Sequence, residues 1–79
     1  MKWVEKRDIL FVAEFNPYWE KQAQFTLNQI TAVALVPNRP FVNIHLGEYH
    51  RALIYETDKD AAEAYAEIMA VWNEWREKG

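Results

Sequence analysis

The chain has no cysteine, no serine and only two glycines, Gly47 and Gly79. Without cysteine there is no disulfide, no thiolate metal ligand and no cysteine nucleophile. Without serine, the aliphatic hydroxyls reduce to Thr26, Thr31 and Thr57, and none of them adjoins a histidine in sequence. Two isolated glycines do not make a phosphate-cradling loop. No run approaches the roughly 18 consecutive apolar residues of a membrane span. Near the start, Glu5-Lys6-Arg7-Asp8 puts four charges where a signal peptide has its apolar stretch. These absences lead to the expectation of a cytoplasmic protein without catalytic activity, cofactor or membrane association.

What is present is bulk. Twelve aromatic residues make 15 % of the 79-residue chain. A single domain of this length, spanning 1–79, buries only about 60–65 % of the surface its unfolded form exposes. With neither disulfides nor thiolate metal sites, aromatic packing and oligomerisation are the remaining aids to stability. The net charge is −3. Between Asp58 and Lys78 there are six acids and three bases, whereas the rest of the chain is balanced at six of each. The whole net charge therefore falls in the last 22 residues. Mild acidity disfavours non-specific attraction to nucleic acid or anionic lipid.

Hydrophobic patterning gives an α+β reading. Asp8–Phe15 is apolar at both parities, as in a strand covered on both faces, and Asn16-Pro17 ends it. Residues 16–28 have no clear periodicity, with a loop or helical turn around Glu20–Gln24 and a short extra strand at Phe25–Leu27 as the alternatives. Gln29–Val36 is β-branched and apolar, and Pro37-Asn38-Arg39-Pro40 closes it with turn residues. Phe41–Leu46 alternates, with Val42, Ile44 and Leu46 on one face. Gly47-Glu48 suits a type II′ turn into a last strand at Arg51–Glu56, with the register left open. Thr57 caps a helix through Gly79, with Asp60 three residues on as in a capping box. The expected fold is an antiparallel sheet of four strands, or five with the short one. A C-terminal amphipathic helix packs on one face of that sheet.

The helix has two chemically distinct sides. Its apolar arc covers about half the circumference at 100° per residue and ends in two tryptophans. That width exceeds what a small sheet needs covered, so a homodimer interface is expected at Tyr65, Ile68, Met69, Trp72 and Trp75. Glu63, Glu67, Glu74 and Glu77 lie opposite. A solvated ridge is the simplest reading; an inhibitor surface filling a basic groove on a protein partner is the alternative.

Two further constellations carry chemistry. His45, Glu48 and His50 surround one turn and supply three metal ligands, two imidazoles and a carboxylate, as a metal-dependent hydrolase would need. The simpler reading is two exposed hairpin histidines, so no metal site is expected. Trp19, Arg39, Phe41 and Arg51 are candidates for base stacking and phosphate contact on an exposed sheet face. Four strands followed by a helix resembles, in the order of elements, the repeat of Whirly-type single-strand-binding domains. The resemblance implies nucleic-acid binding on a basic surface. This chain departs from it in having only Lys21, Arg39 and Arg51 as bases between residues 9 and 58.

Overall fold

The computed structural model describes residues 4–6, 10–14 and 21–78. Among the described residues, six strands form two three-stranded antiparallel sheets, and a helix follows. The first sheet is a meander of β1 (Val4–Lys6), β2 (Leu10–Glu14) and β3 (Lys21–Phe25). The second is a meander of β4 (Ala32–Leu35), β5 (Phe41–Leu46) and β6 (Tyr49–Ile54). Helix α1 spans Asp58–Lys78. The α+β class with antiparallel pairing and one C-terminal helix holds. Among the described residues the strands fall into two sheets of three, where the sequence led to one sheet of four or five.

Two strands stand where sequence patterning is silent. β1 lies in the charged opening stretch, and β3 reads Lys-Gln-Ala-Gln-Phe. Neither has strong strand propensity. Both gain their ladder by pairing with β2, the central apolar strand. The short strand expected at Phe25–Leu27 is displaced: β3 ends at Phe25, and Leu27–Gln29 is a single 3-10 turn. That turn also shortens the next strand, which begins at Ala32 and not at Gln29.

Both turns of the second sheet follow from their residues. Arg39 N–H donates to the Val36 carbonyl at 3.4 Å, with Pro37 and Asn38 between them. Asn38 has φ +60°, the type II pattern of proline first and a left-handed residue second. Gly47 has φ +69° and Glu48 is not in the positive region, as a type II′ turn requires. This two-residue loop pairs Leu46 with Tyr49 and fixes the open register: Val42 opposes Leu53, Ile44 opposes Arg51, and His45 opposes His50. The last strand thus begins at Tyr49, two residues earlier than the sequence suggests.

The register sorts the second sheet into two faces. Val42, Ile44 and Leu53 share one face and are fully buried. Against them the helix presents Ala61, Ala64, Ile68 and Trp72. The two alanines carry no bulk beyond Cβ, so the helix comes close to the sheet. Helix α1 contacts β4 and β5, and also β1 of the first sheet. Val4 and Phe25, which the register places on one face of that sheet, join the same core with Leu27, Ile30 and Tyr55. The helix therefore serves both sheets, which explains why its apolar arc is so wide. At its start the Asp60 N–H donates to Thr57 Oγ1 at 3.1 Å, the cap the sequence announces.

Candidate interaction surfaces

The helix surfaces are less available than the sequence implies. Ile68 is fully buried and Trp72 is only 7 % exposed within the single chain. Tyr65, Met69 and Trp75 are half-buried and pack against the same core. Most of the expected dimer face is thus occupied by the chain's own sheets. Trp72 is held further by the Arg76 guanidinium, 4.1 Å from its ring centroid. Arg76 also donates to the Asn73 side chain. The indole Nε1 of Trp72 is buried with no hydrogen-bond partner among the described residues.

The acidic ridge is split. Glu63, Glu74 and Glu77 are exposed. Glu67 is half-buried and accepts the Val4 N–H at 3.4 Å, so it ties the helix to β1. Glu74 pairs with Lys78 at 2.9 Å, one turn on. That hydrogen bond, and then the carboxylate charge, holds the Lys78 ammonium above the usual lysine range. Both side chains are mostly exposed, and pairs of this kind contribute little to stability.

Two of the nucleic-acid candidates, Phe41 and Arg51, stand on opposite faces of the second sheet. Trp19 lies outside the described residues. Phe41 pairs with Ile54 on the face turned away from the helix, whereas Arg51 pairs with Ile44 on the helix side. One residue of register separates the expected stacking ring from its expected cation. Arg39 is exposed in the β4–β5 turn. Two further aromatics of the sheet face the helix side or lie inside: Tyr49 is on that side at 76 % exposure, and Tyr55 is core.

The surface that stands out was not selected by sequence reasoning. Cross-strand pairing aligns Ala32, Ala34, Phe41, Asn43, His45, His50, Ala52 and Ile54 on the outer face of the second sheet. No residue of this face is Asp, Glu, Lys or Arg. Ile54 is 44 % exposed, Ala32 and Ala52 are exposed, and Phe41 is half-buried. Antiparallel sheets with one face in water normally alternate apolar with polar residues. This one has alanine, phenylalanine and isoleucine where charges usually stand. Between residues 32 and 47 Arg39 is the one Asp, Glu, Lys or Arg, but that scarcity of charge becomes a surface only once the register is known.

His45 and His50 sit on that face as direct cross-strand partners. Their ring centroids are 5.7 Å apart, with the planes tilted by 37°. The strand beneath is anchored by Thr31. Its N–H donates to the His45 carbonyl at 2.8 Å, and its hydroxyl to the same oxygen at 3.2 Å. The Gly47 N–H donates in turn to Thr31 Oγ1 at 3.2 Å. One threonine thereby fixes both the end of β5 and the turn after it. Glu48 does not complete a triad. Among the described residues, no group of three or more His, Asp or Glu gathers in a metal-ligating set. Among those same residues, no helix is long and apolar enough to cross a membrane.

Compared with known protein families, curated proteins and solved structures, the chain matches none of them.

Proposed function

We propose that this protein is a small non-catalytic interaction module that pairs with a second copy of itself. The observation that carries the reading is the uncharged outer face of β4–β6, with Ile54 and Phe41 beside alanines. Alanines leave a flat surface that a second sheet can approach to about 10 Å. Charge favours a like partner there. The excess acids lie on α1, on the far side of the sheet. Face-to-face pairing holds two acidic helices apart by two sheet layers, roughly 20 Å or more, well beyond the Debye length of about 8 Å at physiological salt. Pairing through the helices would bring the same acids together.

The footprint sets the strength. Three strands about 4.8 Å apart, each up to six residues long at about 3.4 Å per residue, span roughly 300 Å². A standard interface buries about 800 Å² per partner. The pairing is accordingly weak and reversible. Sedimentation across a concentration series is the test. The expected result is a monomer–dimer equilibrium that Ile54→Glu abolishes and Met69→Glu leaves in place. A monomer at every concentration up to the millimolar range would overturn the proposal. So would a dimer lost on Met69→Glu and kept on Ile54→Glu, which would return the interface to the helix flank of Tyr65, Met69 and Trp75.

A further inference from the structure

We infer that His45 and His50 form a two-imidazole chelate for a late first-row divalent cation such as Ni²⁺, Zn²⁺ or Cu²⁺. The inference does not rest on self-association. It rests on the cross-strand register, the ring separation and the anchoring of the strand beneath.

The geometry can be checked against metal–imidazole bonding. A metal–nitrogen bond is about 2.0–2.1 Å, so each ring centre lies roughly 3.2 Å from a bound ion. Two rings on one ion then have centroids between about 4.5 Å, for the 90° angle of an octahedral or square-planar cis pair, and about 6.4 Å, for a linear one, with a tetrahedral angle at about 5.2 Å. The observed separation of 5.7 Å falls inside that window. The cross-strand pairing of His45 with His50 already holds the two rings at a separation one ion can bridge.

The surroundings fit a soft-to-borderline cation more than a hard one. The neighbours on the face are Asn43, Ala32, Ala34 and Ala52, with no carboxylate. Calcium and magnesium require oxygen ligands, which this face does not gather. Imidazole suits zinc, copper and nickel. His45 is half-buried and its backbone is held by Thr31, so one ligand is pre-organised. His50 is exposed and supplies the second. With two protein ligands, the remaining coordination positions are open to water or to an added ligand in the unpaired chain.

Calorimetric titration of the untagged full chain with Ni²⁺ tests the site. The expected result is micromolar binding that weakens at least tenfold in His50→Ala and in His50→Asn, with Glu48→Gln binding as the parent does. Ni²⁺ should also raise the thermal midpoint of the parent and leave that of His50→Ala unchanged. His50 is exposed, so both variants at that position are expected to fold. Equal affinity in the parent and His50→Ala would mean a single adventitious imidazole and would overturn the inference. So would the absence of binding at millimolar Ni²⁺.

Discussion

Asn38 shows how much one backbone angle can demand of a residue. Its φ of +60° closes the β4–β5 turn, and only glycine and, to a lesser degree, asparagine or aspartate adopt that region cheaply. Asn38→Ala is expected to cost about 1 kcal/mol of unfolding free energy, and Asn38→Gly less than about 0.5 kcal/mol in either direction. Urea denaturation of both variants measures the difference. Thr31 and Glu67 make the same point for side chains. One bridges β4 to the β5–β6 turn, and the other receives the Val4 N–H from the first sheet. Neither role shows in sequence, because each depends on a partner at least 14 residues away. Trp72 belongs here too. Its buried Nε1, with no hydrogen-bond partner among the described residues, is a local deficit offset by the contacts of its large ring and by the Arg76 guanidinium over it.

Helix α1 is the element most fully specified by local chemistry. Thr57 caps it, Asp58 and Asp60 complement the dipole at the first turn, and Arg76 and Lys78 do so at the last. Removing the cap oxygen in Thr57→Ala is expected to cost about 1 kcal/mol, with Thr57→Ser recovering most of it. Thermal or urea unfolding followed by far-ultraviolet circular dichroism checks both. The Lys78–Glu74 pair has the opposite pH logic to a carboxylate in an ion pair. Because the lysine is raised, its small contribution is present at neutral pH and is lost only as pH rises through the lysine range. Strands show the reverse of the helix. β2 and β5 are legible from their apolar patterns, but β3 is a polar segment made into a strand by its neighbour. Strand propensity is weak beside pairing, so elements such as β1 and β3 escape a reading of one segment at a time.

For the whole molecule, one helix is the shared wall of two small sheets. Ile68 is fully buried at the centre of this arrangement, with Ile44, Val42, Leu53 and Tyr55 in the same core. Ile68→Ala is expected to cost about 2–5 kcal/mol. In a domain whose total is of order 5–15 kcal/mol, that shifts the urea midpoint strongly and leaves a chain on the edge of folding. Glu63→Lys, on the exposed side of the same helix, touches none of this core.

The sequence by itself determined the helix with its cap and acid excess, the type II′ turn at Gly47, the alternation of β5 and the absence of thiol chemistry. All of these are local, set by neighbours within a few residues. Tertiary structure decided the rest, because it depends on pairing between distant segments. It divided the strands into two sheets and enclosed Ile68 and Trp72 within the chain. It drew Glu67 out of the acidic ridge and put Phe41 and Arg51 on opposite faces. It also brought His45 to His50 on a face without charge. Register is the physical reason: a shift of one residue moves every side chain of a strand to the other side.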